Sequence, residues 1–264
     1  RLNSVADVRQ GIKTGDIKKF LRYWFEVNFS NIEFNCLTSA QSKISTKKWY
    51  PCNKGGEFQK WFGNEDYILN WKSDGYEIRN FKDETGALRS RPQNTQYFFK
   101  EGITWSTVTM GKPSFRFSSA GRIFESGGST LFSIEEDIYF LLGVLNSKLG
   151  ELAVGILSPK VSLGEGAVAK FPIPKFDDEI KKSISKIAYT LVEDFKNMEF
   201  FNESSFHFKG LDLLNSSEIF ISDYSIRFQN FFNMKIEDIY EKERTIDDLI
   251  SKQPLQNEKN NRNK

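Results

Sequence analysis

Apolar positions in the last third of the chain repeat with a helical period. Ile180, Ile184, Ile187, Leu191, Phe195 and Met198 step by three or four residues and define one face of an amphipathic helix. Ile236, Ile239, Tyr240, Ile246, Leu249 and Ile250 define a second such stripe. Residues 211–232 are apolar but less regular, which predicts one or two short helices. The earlier part of the chain has another rhythm. Phe20–Val27, Tyr67–Asn70, Thr104–Met110 and Phe115–Phe117 read as strands, punctuated by Lys54-Gly55-Gly56 and Ser126-Gly127-Gly128. Ile138–Leu157 is apolar nearly all round, yet Asn146, Lys148 and Glu151 inside it argue against a bilayer span. It predicts a helix buried against the sheet. Phe171–Phe176, FPIPKF, is held extended by its prolines and connects to the helical part. No internal repeat is visible.

Turn residues divide the chain in the same place. Residues 1–176 hold 17 of the 18 glycines and 6 of the 7 prolines, so long uninterrupted helices are confined to the remainder. The pattern predicts an α+β protein: a β-rich domain over 1–176 with the buried helix inside it, a helical segment over 177–250, and a polar tail over 251–264 that frays.

Composition sharpens this picture. An apolar share of 39% that includes 25 phenylalanines is that of a folded chain, and 264 residues suffice for a sizeable core. No window of 18 clean apolar residues exists, which excludes a membrane span. The net charge of +2 hides a split. Residues 1–132 carry 20 Lys and Arg against 13 Asp and Glu; residues 133–264 carry 17 against 22. The basic half also holds all five tryptophans, Trp24, Trp49, Trp61, Trp71 and Trp105. Basic and aromatic residues together suit a nucleic-acid surface. A half-buried sheet with a solvated face has the same composition.

Much chemistry is excluded at the outset. With one histidine, and with Cys36 and Cys52 outside any CxxC, the chain cannot supply four Cys and His ligands to zinc. His207 in FHFKG reads as a packed or surface residue rather than a catalytic base. No Walker loop, dinucleotide or S-adenosylmethionine fingerprint stands in the sequence. Asp16-Ile17-Lys18 and Glu179-Ile180-Lys181 are short nuclease-like matches of the kind that arise by chance among 35 acids. The second also reads as a helix start, where acids offset the dipole. The cysteines and the lack of a signal peptide imply a reducing, cytoplasmic setting. Arg1 in place of Met implies a piece of a longer protein.

Three segments carry positive candidates. In Lys47–Asn64, KKWYPCNKGGEFQKWFGN, Lys47, Lys48, Lys54 and Lys60 interleave with Trp49 and other aromatics, and Gly55-Gly56 lets the backbone approach another surface. A hairpin with a solvated face fits equally. Arg79–Arg91, RNFKDETGALRSR, reads as a loop whose Arg79, Arg89 and Arg91 suit guanine edges or phosphates, or are merely solvated. Thr104–Phe117 reads as a hairpin turning at Gly111-Lys112-Pro113, with Lys112 and Arg116 emerging near its tip.

These segments resemble a known family. Val8–Val27, KKWYPCNKGGEFQKWFGN with Tyr67–Asn80, ITWSTVTMGKPSFRF, and LLGVLNSKLGELAV followed by FPIPKF occur in the order seen in the target-recognition region of adenine-specific DNA methyltransferases. The resemblance is to the PglX type of BREX phage-defence systems, then to type IIG restriction–modification enzymes. It implies sequence-specific recognition of double-stranded DNA by this chain. It also implies that S-adenosylmethionine binds an upstream catalytic domain not contained here, so that no cofactor is held by this chain and it does not methylate alone. Duplex DNA, that catalytic domain and other phage-defence subunits are the expected partners. Lys54, Gly55, Gly56 and Lys60 match a motif near the DNA backbone, whereas Gly11 and Thr14-Gly15-Asp16 match one read as a structural turn. A type IIG specificity region and a non-DNA carbohydrate or protein binder are the competing readings.

Overall fold

The computed structural model describes residues 1–109, 111–159, 162–209 and 221–252. Among them the strands are β1 (Ala6–Arg9), β2 (Leu21–Tyr23), β3 (Trp49–Asn53), β4 (Tyr67–Asn70), β5 (Gly102–Trp105), β6 (Phe115–Ser118), β7 (Ile123–Phe124) and β8 (Thr130–Ser133). The helices are α1 (Ile17–Phe20), α2 (Ser39–Ile44), α3 (Lys72–Arg79), α4 (Ile138–Asn146), α5 (Lys148–Leu157), α6 (Glu165–Ala169), α7 (Asp178–Glu199) and α8 (Ile221–Ser251). The fold is α+β. One sheet has the order β1-β8-β5-β6 and is antiparallel throughout. The other has the order β2-β4-β3-β7, with β7 parallel to β3.

The strand at Tyr67–Asn70 has the bounds its pattern predicts. Phe20–Val27 does not form one strand. Asp16 accepts the Lys19 N–H at 3.0 Å and starts the single turn of α1, and the Glu26 carboxylate accepts the Tyr23 N–H at 2.8 Å, which closes a 3₁₀ turn after β2. Thr104–Phe117 is antiparallel as expected, but pairing stops at Trp105↔Phe115. Ser106 onward leaves the strand, so the connection is longer than a turn at Gly111-Lys112-Pro113.

The apolar run 138–157 is two helices bent by 74°, not one. Its polar residues cause the break. The Asn146 side chain accepts the Phe115 N–H at 3.0 Å and donates to the Phe115 carbonyl at 2.9 Å, mimicking a strand at the edge of β6. Ser147 then caps α5 by accepting the Gly150 N–H at 3.1 Å. α4 is buried because it lies between the first sheet and α7. Gly143 lets α7 approach closely; a Cβ there would stand 2.6 Å from Ile184 Cγ2. Among the described residues no single helix is long and apolar enough to cross a membrane.

The first stripe lies on α7 as predicted. Ile184 and Leu191 are buried, and Ile180, Ile187, Phe195 and Met198 pack against the same core. The second stripe is met in part. Ile239, Ile246 and Ile250 of α8 are buried, but Ile236 and Tyr240 face outward. Residues 221–232 belong to the continuous helix α8 rather than to short helices; 211–220, like 253–264 of the expected tail, lie outside the described residues. Lys235 and Lys242 of α8 clasp Asp194 of α7 at 2.9 and 2.5 Å. One apolar core joins the first sheet, α4, α5, α7 and α8, so it runs across position 176. A second, rich in aromatics (Phe20, Tyr50, Trp71, Phe98, Phe99, Phe124, Phe132), fills the space around the second sheet and holds both cysteines as free thiols.

Candidate nucleic-acid interface

Two segments far apart in sequence are joined edge to edge. The Lys13 N–H donates to the Arg91 carbonyl at 3.1 Å, and the Arg91 N–H to the Lys13 carbonyl at 2.7 Å. Gly15, at φ +74°, fits this junction because a Cβ would stand 2.6 Å from the Arg89 carbonyl oxygen. Arg89 Nη2 closes the contact by donating to the Gly15 carbonyl at 3.3 Å. α1 starts two residues later, so Lys13, Lys19, Arg89 and Arg91 lie together with Lys18 beside Lys19 in the chain, and all five are exposed. Phe81 anchors it. Its ring lies 4.4 Å from Lys19 Nζ and 5.2 Å from Arg89 Cζ, and packs edge-on against buried Phe20 at 5.1 Å.

The loop between Phe81 and Arg89 is an ordered hairpin. The Arg89 N–H donates to the Phe81 carbonyl at 2.9 Å, and the Asp83 N–H to the Ala87 carbonyl at 2.9 Å. Asp83 Oδ1 accepts the Thr85 hydroxyl at 2.6 Å and the N–H groups of Thr85 and Ala87 at 2.9 and 3.0 Å. The Thr85 hydroxyl, with those N–H groups, holds the Asp83 carboxyl below its ordinary range, so the tip keeps a negative charge. Lys82 and Leu88 flank the tip and are exposed.

Lys47–Asn64 is different, because the protein occupies most of its cations. Lys47 Nζ donates to the Ser30 carbonyl. Lys48 pairs with Glu77 at 3.7 Å and lies over Trp49, which is half-buried in β3. Lys60 pairs with Glu243 of α8 at 3.4 Å, and the same carboxylate accepts the Trp61 indole N–H at 2.7 Å. Lys54 lies over the Tyr67 ring at 4.7 Å, and no acid among the described residues pairs with it. The glycines approach the chain itself. Gly55, at φ +88°, is buried, and a Cβ there would stand 2.6 Å from the Gly127 carbonyl oxygen. The Gly56 N–H donates to the Ser106 hydroxyl at 3.0 Å.

Of the three further candidates, Arg79 and Arg116 are placed otherwise than their segments implied, and Lys112 is not. Arg79 turns inward: its Nε donates to the Asp74 carbonyl at 2.7 Å and its guanidinium lies 5.0 Å from the Trp71 ring. It thereby braces Ser73-Asp74-Gly75, all at positive φ. Arg116 does not emerge near a tip; it sits in β6, and only 1% of it is exposed. Burial pushes its guanidinium down to about 10. Lys112 is at the loop's exposed end, paired with Glu151 at 2.9 Å.

His207 Nε2 lies 2.7 Å from Glu65, whose other oxygen pairs with Arg122 at 2.6 Å. The cluster ties the segment before α8 to the loop before β4. Among the described residues no group of three or more His, Cys, Asp or Glu side chains could hold a metal. Lys13 and Lys19 were not singled out in the sequence, and Lys18 was named only within a chance nuclease-like match. Their neighbours there mark only a turn and a helix cap, and Arg89 and Arg91 reach them through long-range pairing.

The chain is similar to adenine-specific methyltransferases. It is 38% identical over 177 residues to the adenine-specific methyltransferase PglX of Lacticaseibacillus casei (strain Zhang), which covers 66% of this chain and 15% of the relative. It is 36% identical over 182 residues to the adenine-specific methyltransferase BrxX of Escherichia coli O9:H4 (strain HS), covering 66% of this chain and 14% of that protein. The chain thus spans about 15% of the length of the curated relatives it matches. No family model matches it. Among solved structures, the type IIG restriction endonuclease BpuSI aligns over 95% of this chain and 31% of its own, at 11% identity and a TM-score of 0.44.

Proposed function

We propose that the chain is the part of an adenine-specific DNA methyltransferase, of the phage-defence type, that reads duplex DNA. The observation that carries this is the surface formed by Lys13, Lys18, Lys19, Arg89 and Arg91 on a chain similar to PglX and BrxX. Exposed cations on a rigid scaffold suit phosphate oxygens. The ordered 81–89 hairpin projects from that surface. Its acidic tip suits a base edge, such as the cytosine amino group, better than a phosphate. Flipping an adenine from the duplex costs a few kcal/mol, and grip on neighbouring phosphates and bases offsets it. In this reading another part of the full-length protein binds S-adenosylmethionine and performs the transfer. This chain supplies the address, acts in the cytoplasm, and works with that catalytic part and other defence subunits.

The test is selection of duplexes from a random pool by the 264-residue chain at two salt concentrations. Salt-sensitive binding that enriches one short adenine-containing motif is expected. Failure to bind duplex DNA at low salt, or binding indifferent to salt, overturns the reading.

A further inference from the structure

Arg116 lies beneath the Lys54–Asn64 loop, and no acid among the described residues balances its charge. Nη1 donates to the Gln59 carbonyl at 3.3 Å and the Ser114 hydroxyl at 3.5 Å, and Nη2 to the Ser106 hydroxyl at 3.4 Å. All three bonds are long, all three partners are neutral, and Nε has no acceptor. No carboxylate among the described residues pairs with it. Arg122 is the contrast within the same molecule: it is 6% exposed and held by Glu65 at 2.6 Å. Buried cations are ordinarily paired, because an unpaired charge is costly to take out of water, and an apolar side chain of similar volume is often no worse for folding. An arginine here without an acid is a cost to folding that a role outside the fold would explain.

The neighbours of the guanidinium show where its field is felt. The Ser106 hydroxyl accepts from Arg116 and from the Gly56 N–H at 3.0 Å, and donates to the Gly56 carbonyl at 2.9 Å. Gln59 is held twice, its carbonyl by Arg116 and its N–H by Ser114 at 3.3 Å. The outer side of this loop carries Gly56, Glu57 and Phe58, all exposed, with Lys54 and Lys60 at its ends. A charge sealed in protein is poorly screened by salt and by water, so it acts through the loop backbone.

We propose that Arg116 is the fixed counter-charge for a phosphate oxyanion that docks on the outer side of the Lys54–Lys60 loop. Arg116 acts without touching the anion, by raising the positive potential there and by bracing the loop through Ser106 and Gln59. That the anion is a DNA phosphate rests on the DNA-reading proposal; that the loop is an anion site does not.

Arg116→Met removes the charge and keeps most of the volume; Arg116→Lys keeps the charge. Two probes are used on each full chain: duplex DNA over a range of salt, and inorganic phosphate followed by thermal unfolding. The Met variant is expected to melt at or above the wild-type temperature. It should bind duplex about tenfold more weakly at low salt, with a salt slope lower by about one. It should also lose the thermal stabilisation that phosphate gives the wild type, while the Lys variant keeps both responses. A Met variant with wild-type affinity, slope and phosphate response overturns the proposal. Should the Met variant fail to fold, Arg116→Gln decides: it removes the charge and keeps a hydrogen-bond donor for Gln59 and Ser106, and an unchanged phosphate response overturns the proposal. Wild-type protein that ignores duplex DNA but gains stability from phosphate through Arg116 keeps the anion site and removes the DNA reading. Duplex binding indifferent to Arg116, with no phosphate response, does the reverse.

Discussion

The two basic segments of the β-rich half are alike in composition and opposite in availability. Lys47, Lys48 and Lys60 are held by a carbonyl, by Glu77 and by Glu243. Among the described residues no acid pairs with Lys13, Lys18 or Lys19, and Arg89 and Arg91 beside them are exposed. The difference comes from what packs over each segment. α8 and α5 bring Glu243 and Glu151 to Lys60 and Lys112, so the acidic second half of the chain neutralises part of the basic first half at their contact. The 13–19 and 79–91 segments have no such cover. The charge split along the chain is therefore partly internal pairing and partly a free surface.

The comparison breaks most readily where the free cations are removed. Replacing Lys13, Lys18, Lys19, Arg89 and Arg91 together with Gln should lower duplex affinity at low salt by at least about a hundredfold and flatten the salt slope by about four. A triple Lys47, Lys48 and Lys60 replacement with the larger effect would reverse the assignment. Single substitutions sharpen it. If Arg89 or Arg91 reads a base, its change to Ala costs roughly 1–3 kcal/mol on the cognate site and relaxes one position in the selected motif.

What the sequence could show follows from how far each contact reaches. α7 was legible because Ile184 and Leu191 bury on a period set by the helix itself. Tyr67–Asn70 was legible because both its neighbours in the sheet cover it. The break between α4 and α5 depends on Asn146 finding Phe115, a partner 31 positions away that no local pattern announces. The same holds for the site. Lysines were visible, but whether each was free depended on acids such as Glu243, 183 positions from Lys60. Arg116 alternates with Phe115 and Phe117 in β6; burial on both faces of that strand, not its period, put the guanidinium inside.

The helical part should respond in stability rather than in DNA grip. Burial alone would raise the Asp194 carboxyl, but the Lys242 and Lys235 ammonium groups override it and hold it below its ordinary 3.8. A lowered folded value means stability that is complete above pH 3.8 and lost as acid titrates the folded carboxylate. Asp194→Asn should cost on the order of 1–3 kcal/mol in thermal or urea unfolding and abolish that acid-dependent loss. Asp66 and Glu199 run the other way. Burial raises both, so their charged forms oppose folding, and their contribution improves as pH falls through the raised values towards 3.8 and 4.5. Weaker duplex binding by folded Asp194→Asn protein would place the helical part in the interface.

Glu243→Gln tests whether internal pairing limits the basic half. It removes the acid from Lys60 and keeps an acceptor for the Trp61 indole. Duplex affinity at low salt should rise a few-fold, with the salt slope steeper by about one. Unchanged binding would mean that Lys60 lies off the DNA path.

The smallest effect is expected at Lys48, and it is the most exacting test. The Lys48–Glu77 pair is 3.7 Å long, with side chains 43% and 45% exposed, a geometry worth about 0–1 kcal/mol. If Glu77 already occupies the ammonium, Lys48→Ala should change duplex affinity by less than about twofold and leave the salt slope alone. A weak pair can also be exchanged for a phosphate at little cost. A slope that falls by about one would then show that DNA displaces Glu77, and the tied lysines would count as a reserve of the same surface. Glu77→Gln separates the two outcomes: it strengthens binding only if Lys48 reaches the DNA.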